Sequence, residues 1–196
     1  MQSFPLIRRY YPHKAPRILY PAINEKNYIL PADTKATSIG ALLNRPDFAP
    51  GKTPLIITSL NRYERKKNIN LALQAYAMFL KSKSNESDKQ DSVLVIAGGY
   101  DERMLENVDH HLELVNLANK LGIIDKVVFL RSISNDQRVL LLQSSDILLY
   151  TPANEHFGIV PVEAMWLGAV VIACNSGGPL ESIEDGKTGF LRQPEP

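Results

Sequence analysis

The sequence is poor in the features that mark disulfide-bonded, membrane-spanning and nucleic-acid-binding proteins. It has one cysteine, Cys174, which excludes a disulfide framework and a cysteine-rich zinc site. We expect this cysteine to be a small core residue in a reducing compartment. No apolar run approaches the roughly 18 residues of a membrane span, and residues 1–9 lack a signal-peptide core. With a net charge of +1, no nucleic-acid partner is indicated, and we expect the chain to be soluble.

Patterns that bind metal ions or nicotinamide cofactors are also missing. The sequence has no Asp-x-Asp pair that could hold a divalent ion. His13, His110 and His111 have no metal-ligand spacing with carboxylates or cysteine, so we expect them at the surface. The pair Gly98-Gly99 lacks the GxGxxG spacing of a dinucleotide fingerprint. We therefore predict neither a metal site nor a tightly bound cofactor.

The residue pattern of the chain changes near residue 54. At 196 residues with 44% hydrophobic content, the chain is long enough for one well-packed domain and an additional segment. Residues 18–53 have little periodicity and are interrupted by proline and glycine, which is typical of a linker. We predict a short leading segment over 1–17, a linker over 18–53 and a domain over 54–196.

Within 54–196, apolar runs of strand length alternate with apolar repeats of helical spacing. The predicted strands are 55–60, 93–97, 126–130, 146–150 and 169–173, with an edge strand at 188–191. The predicted helices are 69–80, 105–121, 134–142, 159–167 and 179–184, and a polar loop is expected over 81–92. This alternation predicts an α/β fold with a Rossmann-like parallel sheet and helices on both faces.

Individual residues mark the helix ends. Asn68 is a candidate N-cap for the first helix, and Gly122 is placed to close the second. Ser134 followed by Gln137 forms a capping-box pattern. Trp166 lies on an apolar helix, and we expect it in the core.

The polar candidates follow the carboxyl ends of four predicted strands. Arg62 to Lys67 follows the first strand, Arg131 follows the third, Glu155 follows the fourth, and Gly177-Gly178 follows the fifth. In open parallel sheets, ligands bind beyond this edge. We therefore expect these segments to meet on one rim.

The basic run at 61–67 precedes a helix start, where cations oppose the helix dipole. A bound anion resolves that conflict, with Arg62 and Lys67 gripping one diphosphate from two sides. The backbone at Gly177-Gly178 could meet phosphate in the same way. The alternatives are a solvated charged loop for the basic run and a plain tight turn for the glycines.

Two carboxylates, Glu155 and Glu163, stand eight residues apart with a helix start between them. Pro161 suits the first helical turn, and helix starts attract anions. A ligand with hydroxyl groups at both ends and phosphate in the middle fits this layout, as a nucleotide sugar does. His156 adjoins Glu155 and could reach the sugar. Alternatively, Glu155 is a solvated loop residue and Glu163 occupies an ordinary surface position on the helix.

Four segments carry a family resemblance: Asn-Arg-Tyr-Glu-Arg-Lys-Lys-Asn (61–68), Ala-Gly-Gly-Tyr-Asp-Glu-Arg (97–103), Tyr-Thr-Pro-Ala-Asn-Glu-His-Phe-Gly-Ile-Val-Pro (150–161) and Asn-Ser-Gly-Gly-Pro-Leu-Glu-Ser-Ile (175–183). Together they resemble the donor-binding, C-terminal half of retaining family 4 glycosyltransferases with the two-domain GT-B fold. More narrowly, they resemble the eukaryotic mannosyltransferases of the dolichol pathway that form α-1,3 and α-1,6 linkages. The wider family usually has glycine after the lysine, where Asn68 stands here.

The resemblance implies GDP-mannose as donor and a dolichol-diphosphate-linked glycan as acceptor, at the cytosolic face of the endoplasmic reticulum membrane. It implies a catalytic contact between Glu155 and the transferred sugar, and a contact of Glu163 with the ribose hydroxyl groups. It assigns the diphosphate to Arg62 and Lys67. The remaining implied donor contacts are Phe157, Gly158, Ile159 and Val160 for sugar and phosphate, and the segment from Arg131 to Ile133 for the base.

The same resemblance implies missing parts. A complete enzyme has an N-terminal domain for acceptor and membrane contact, of which residues 1–17 would be a remnant, and further helices after residue 196. We therefore expect weak donor binding and poor transfer by this chain alone. The alternative is a non-catalytic nucleotide-sugar-binding or regulatory fragment.

A glycosidase, which also uses paired carboxylates, would leave the basic run unexplained.

Overall fold

The buried apolar runs form one parallel β-sheet that carries helices on both faces. The computed structural model describes residues 19–30, 38–45, 48, 54–82 and 91–195. The strands are β1 Leu55–Leu60, β2 Ser92–Gly98, β3 Val127–Arg131, β4 Ile147–Tyr150, β5 Val170–Cys174 and β6 Phe190–Arg192. The α-helices are α1 Ile39–Leu42, α2 Ile69–Ser82, α3 Leu105–Lys120, α4 Asn135–Ser144, α5 Ile159–Trp166 and α6 Pro179–Ser182. Three short 3-10 helices cover Glu25–Tyr28, Arg65–Lys67 and Ile124–Lys126.

The strand order across the sheet is β3-β2-β1-β4-β5-β6, and all neighbouring strands are parallel. All seven residues of β2 are buried, because a parallel sheet covered on both faces excludes water from both sides of its central strands. The order reverses between β1 and β4, so the loops that follow these two strands diverge. The predicted fold class is therefore confirmed by the sheet topology.

Successive residues of one strand enter different cores. Ile56 packs in the core beneath α4 and α5, whereas Ile57 packs in the core beneath α2 and α3. This alternation follows from the two-residue period of a strand. Cys174 is 4% exposed, as predicted for a core residue, and burial raises the pKa of its thiol.

Most of the predicted helix signals are confirmed. Ser134 and Gln137 form a full capping box at the start of α4, and Gly122 follows α3 with a φ of 71°. Pro161 lies in the first turn of α5. Asn68 does not have the extended conformation expected of an N-cap: its φ is 51°, and its N–H donates to Arg65 O. It closes the 3-10 turn that precedes α2.

Small shifts separate the predicted element bounds from the observed ones. The strand predicted at 188–191 is β6, Phe190–Arg192. α2 continues to Ser82, and residues 83–90 of the predicted loop lie outside the described residues. In the described part of the chain, no helix has the length and apolar character needed to cross a membrane.

Described parts of the predicted linker pack against the sheet domain. Leu43, which follows α1, is 2% exposed and belongs to the core beneath α4 and α5. Tyr28 is 9% exposed, and Gln143 of α4 donates to its carbonyl oxygen at 3.2 Å. Residues 1–17 lie outside the described residues, and the domain boundaries stay a prediction.

Three expectations about burial were wrong. Trp166 is 54% exposed, because Pro161 and Ala164 form the core side of α5 and Trp166 lies off that stripe. His110 is 4% exposed, because it lies on the buried stripe of α3 together with Asn107 and Leu114. His111 is also not a free surface residue.

The ring of His111 lies 5.4 to 5.7 Å from three aromatic rings, those of Tyr63, Tyr100 and Phe129. Desolvation in this cluster, together with the charge of Arg131, lowers the pKa of His111. We conclude that this histidine is part of the packing around the turn that follows β1.

Candidate donor-binding site

A cleft of about 280 Å³ opens at the carboxyl edge of the sheet, where the strand order reverses. Ligands of open parallel sheets bind at such a switch point. The lining comes from the segments after β1, β2 and β3 and from helices α4 and α5: Leu60, Asn61, Arg62, Lys67, Gly98, Gly99, Ser132, Ile133, Arg138 and Val160. Arg62, Lys67, Ile133 and Val160 are predicted site residues, so the structure brings four of them to one cleft.

The basic turn after β1 is firmly anchored. Tyr63 is fully buried, and its hydroxyl lies 3.1 Å from Ile96 O and 3.1 Å from Leu130 O. The Tyr63 N–H donates to Gly99 O at 3.1 Å. Burial raises the pKa of the Tyr63 hydroxyl. The turn therefore presents the neighbouring cations from a fixed backbone.

Positions 98 and 99 are glycine for a structural reason that could not be inferred from the sequence. Gly98 has a φ of 154°, and a Cβ there would lie 1.9 Å from Asn61 O, which no side chain tolerates. A Cβ at Gly99 would lie 3.2 Å from Cγ of Arg62. These glycines allow the turn after β1 to pack on the end of β2, which gives Arg62 its place at the cleft.

Lys67 contacts Glu155 directly. Its ammonium group donates to Glu155 Oε2, and the two side chains are 12% and 26% exposed. The Lys67 hydrogen bond holds the pKa of the Glu155 carboxyl below its usual range. Thr151 after β4 donates from its hydroxyl to Lys67 O at 2.8 Å. The loops after β1 and β4 are thus joined through both side chain and backbone.

Arg62 points to the cleft from the other end of the basic turn. Its Nη1 lies 3.0 Å from Glu64 Oε1, and its side chain is 63% exposed. Arg62 and Lys67 therefore belong to one turn beside Glu155. This arrangement agrees with the predicted convergence on one rim, while the roles of the residues stay predictions.

The segment from residue 156 to 160 leads into α5. His156 is exposed, and Phe157, Ile159 and Val160 are half-buried. Gly158 precedes the helix with a φ of 74°, and a Cβ there would lie 2.7 Å from the hydroxyl of Tyr150. The first-turn amides of an α-helix have no partner inside the helix. Because Val160 lines the cleft, this helix start faces the same space as the cations.

Glu163 has partners that the sequence did not predict. Arg138 Nη1 donates to Glu163 Oε2 at 2.5 Å, and the Tyr28 hydroxyl donates to Glu163 Oε1 at 2.6 Å. The side chain of Glu163 is only 6% exposed, which excludes the alternative of an ordinary surface position. The glutamate predicted to meet a ribose is held between α4 and the segment before α1.

The two glycines after β5 support the Glu155 loop instead of facing the cleft. Gly177 has a φ of 65°, and a Cβ there would lie 2.4 Å from Glu155 O. A Cβ at Gly178 would lie 2.1 Å from Phe157 O, and the Gly178 N–H donates to Glu155 O at 2.7 Å. The Gly178 amide is therefore paired with Glu155 O, and the predicted phosphate contact of Gly177 and Gly178 stays a prediction.

Arg131 ends β3 beside the cleft without lining it. Its guanidinium lies over the ring of Tyr100, 4.9 Å from the ring centre. Ser132 follows with a φ of 50°, and its hydroxyl donates to Tyr100 O at 2.6 Å. Ile133, next in the chain, lines the cleft. Of the segment predicted to border the base, the structure thus brings Ser132 and Ile133 to the cleft.

Every cationic side chain on the lining has a glutamate partner. The pairs are Arg62 with Glu64, Lys67 with Glu155, and Arg138 with Glu163. Sequence reasoning missed Arg138, Tyr28 and Glu64. Arg138 and Tyr28 reach Glu163 from 25 and 135 residues away, so no local pattern could reveal them. The N–H donors of these cations that are not bound to glutamate can form charge-assisted hydrogen bonds with an anionic ligand.

Comparisons with known proteins define the class. Residues 43–195 match the family described as glycosyl transferases group 1. The match covers most of the chain, so the chain belongs to this family.

The relatives within this family are more specific. The α-1,3/1,6-mannosyltransferase ALG2 of Homo sapiens is 45% identical over 184 residues, and that of Mus musculus is 43% identical over 185 residues. Each alignment covers 94% of this chain and 42% of the relative. The chain thus spans less than half the length of these relatives, and it corresponds to their C-terminal part.

A solved structure supports the fold. The structure of Anabaena Alr3699/HepE in complex with UDP and glucose is 23% identical to this chain with a TM-score of 0.70. The superposition covers 91% of this chain and 43% of that chain. At this level of identity, the likeness supports the Rossmann-like fold alone.

Proposed function

We propose that this chain is the donor-binding part of a mannosyltransferase. The enzyme transfers mannose from GDP-mannose to a dolichol-diphosphate-linked oligosaccharide, with α-1,3 and α-1,6 linkages, during N-glycan precursor synthesis. One observation carries the proposal: Arg62 and Lys67 lie on one cleft at the switch point, and Lys67 is paired with Glu155. The names of the relatives support mannose as the transferred sugar. The choice of guanine rests on the sequence resemblance.

The arrangement suits a leaving group that carries negative charge. Cleavage of the bond between mannose and the diphosphate leaves charge on the phosphate oxygens, which Arg62 and Lys67 are placed to stabilise. An ammonium group has three N–H donors, so Lys67 can contact Glu155 and a phosphate at the same time. A diphosphate is acidic enough to leave without a proton donor. The site therefore needs no general acid, in contrast to a glycosidase.

Glu155 is the group nearest the sugar in this proposal. Its pKa is lowered by Lys67, so it is ionised at neutral pH and accepts hydrogen bonds from sugar hydroxyl groups. Gly177 and Gly178 fix the backbone of its loop from behind. Retention of the anomeric configuration is part of the proposal through the family resemblance.

Glu163 is the proposed ribose contact, and its surroundings set a condition. A carboxylate has about four acceptor positions, and Tyr28 and Arg138 occupy one on each oxygen. Because the Glu163 side chain is 6% exposed, a ribose hydroxyl reaches it only when the Tyr28 side chain moves. The proposal thus includes a small displacement of the segment around Tyr28.

Calorimetry tests the donor site. GDP, GDP-mannose and UDP-glucose are titrated into the wild type and into the Arg62→Ala and Glu155→Ala variants. Loss of one charged contact to the diphosphate weakens GDP binding by about tenfold or more in Arg62→Ala. Glu155→Ala is expected to weaken GDP-mannose binding more than GDP binding, and UDP-glucose is expected to bind more weakly than GDP-mannose.

The matched control is Arg65→Ala. Arg65 belongs to the same basic turn, but its guanidinium binds Glu113 of α3, and it does not line the cleft. GDP affinity should be unchanged in this variant. Equal GDP binding by wild type and Arg62→Ala would contradict the diphosphate role.

A second candidate is a nucleotide-sugar-binding or regulatory fragment without catalysis. In the relatives, of which the alignment covers 42%, we propose the acceptor and membrane contacts at the endoplasmic reticulum for the other half. Both candidates bind the donor, and they differ in transfer. We expect little mannosyl transfer from GDP-mannose to a lipid-linked acceptor by this chain alone. Efficient transfer would rule out the second candidate and contradict that expectation.

A further inference from the structure

We propose that Glu64 is a positioning residue that holds the Arg62 guanidinium at the cleft before a diphosphate binds. The inference rests on the proposed function, since it presupposes that Arg62 binds a diphosphate. Glu64 is the one acidic residue in the basic run at 61–67. Unlike a solvated carboxylate, the carboxylate of Glu64 belongs to a largely buried side chain.

Glu64 is buried although it lies among cations. Its side chain is 11% exposed, whereas the side chains of Arg62 and Lys66 are 63% and 67% exposed. Its backbone is fixed on both sides: its N–H donates to Arg62 O at 2.7 Å, and its carbonyl accepts from the Lys67 N–H at 2.9 Å. The carboxylate is thus a fixed point of the turn beside two exposed cations.

Arg62 is located at two points along its side chain. Its stem packs near Gly99, where a Cβ would lie 3.2 Å from Cγ of Arg62. Its Nη1 lies 3.0 Å from Glu64 Oε1. A guanidinium has five N–H donors, so a contact through Nη1 leaves other donors free for phosphate oxygens. An arginine held in this way loses less side-chain freedom on binding than a solvated one.

The opposite role for Glu64 would be to weaken anion binding through its own negative charge. Lys66 argues against this role, because its Nζ lies 3.0 Å from the second carboxylate oxygen, Oε2. The charge of Glu64 is thus offset by Lys66, and the charge of Arg62 stays available to a ligand. The two roles predict opposite changes in affinity.

Two substitutions at Glu64 distinguish the effect of side-chain length from the effect of side-chain charge. Glu64→Gln keeps the length of the side chain and an oxygen acceptor for Arg62, but it removes the charge. Glu64→Asp keeps the charge and shortens the side chain. The matched control is Glu113→Ala, because Glu113 pairs with another arginine of the run, Arg65, at 2.6 Å and away from the cleft.

The test is calorimetry with GDP and with inorganic pyrophosphate on the wild type and these variants, each also made in an Arg62→Ala background. We expect Glu64→Ala and Glu64→Asp to weaken GDP binding by about fivefold, the ordering cost of one long side chain. Glu64→Gln should stay near the wild type, and Glu113→Ala should leave the affinity unchanged. In the Arg62→Ala background, the Glu64 substitutions should have no further effect, which a merely structural role would not produce.

Several outcomes would overturn the inference. Tighter GDP binding by both Glu64→Gln and Glu64→Ala would show that the charge of Glu64 weakens anion binding. Tighter GDP binding by Glu64→Asp than by Glu64→Gln would show that the length of the Glu64 side chain does not position Arg62. The Gln and Asp comparison holds even if Glu64→Ala fails to fold. Failure of the wild type to bind GDP contradicts the proposed function itself. Normal wild-type binding with unchanged affinity in Glu64→Ala and Glu64→Asp contradicts only the role of Glu64.

Discussion

The two sides of the cleft use the same type of ion pair in different environments. On the β1 side, Arg62 pairs with Glu64 two residues away, and the Arg62 side chain is 63% exposed. On the α5 side, Arg138 pairs with Glu163, and the side chains are 25% and 6% exposed. An exposed guanidinium keeps N–H donors that a ligand can reach, whereas a buried pair cannot be opened without leaving an uncompensated charge. We infer that the β1 pair is open to a ligand at little cost in stability, whereas the α5 pair also holds the fold together.

The α5 side has a third member that strengthens this contrast. The Tyr28 hydroxyl donates to the second oxygen of Glu163, and the Arg138 guanidinium lies 5.8 Å from the centre of the Tyr28 ring. Desolvation, together with Glu163, raises the pKa of the Tyr28 hydroxyl. The tyrosine thus stays a neutral donor at neutral pH, and it ties the segment before α1 to the sheet domain.

The largest expected effect comes from opening the buried pair. Arg138→Ala leaves the Glu163 carboxylate buried with Tyr28 as its one remaining partner among the described residues, so we expect the free energy of unfolding to fall by about 3 kcal/mol. Urea denaturation monitored by circular dichroism measures this change. The control is Arg65→Ala, whose pair with Glu113 is half-exposed on both sides and should contribute far less. Equal destabilisation in the two variants would remove the distinction between the two sides.

Removal of a single hydroxyl group should have a smaller effect. Tyr28→Phe keeps the ring but removes the hydrogen bond to Glu163, so we expect a loss of about 1.5 kcal/mol, typical of a bond to a charged group. The same denaturation measurement applies. Tyr20→Phe is the matched control, since the Tyr20 hydroxyl donates to the exposed carboxylate of Glu181. A larger effect at Tyr20 than at Tyr28 would contradict the proposed architectural role.

The pair between Lys67 and Glu155 is expected to depend on pH. Lys67 lowers the pKa of Glu155 below its ordinary value of 4.5, so the unfolded state binds a proton at a higher pH than the folded state does. The contribution is therefore present above pH 4.5 and is lost as the pH falls through the folded pKa. The difference in stability between wild type and Lys67→Gln, measured by urea denaturation from pH 7 to 3, should shrink below pH 4.5. A difference that grows on acidification would have the wrong sign.

The smallest effect on stability is expected on the β1 side. Arg62→Ala removes a largely exposed side chain and leaves Glu64 beside Lys66, so we expect a change within about 0.5 kcal/mol in the free energy of unfolding. The same variant is expected to lose GDP affinity, which sharpens the comparison with Arg138→Ala. A strongly destabilised Arg62→Ala would show that Arg62 is also architectural.

The sequence allowed the fold and the position of the rim to be predicted, because both follow from local periodicity and from the rules of parallel sheets. The buried stripe of α3 was also readable: His110 lies three residues after Asn107 and four before Leu114, but its residue type favoured the surface. The partners of Glu163 were not readable, since Arg138 and Tyr28 reach it from distant segments. Glu64 lies within the recognised basic run, yet a charge pattern does not reveal which charge is buried.

The most direct test of the central claim is an amide chemical-shift map of the isotope-labelled chain titrated with GDP. The account predicts that the largest shifts fall on residues 61–67, 98–99, 132–133 and 158–160, which surround the cleft at the switch point. Saturable binding with its largest shifts elsewhere on the chain, and with those four segments unmoved, would contradict it.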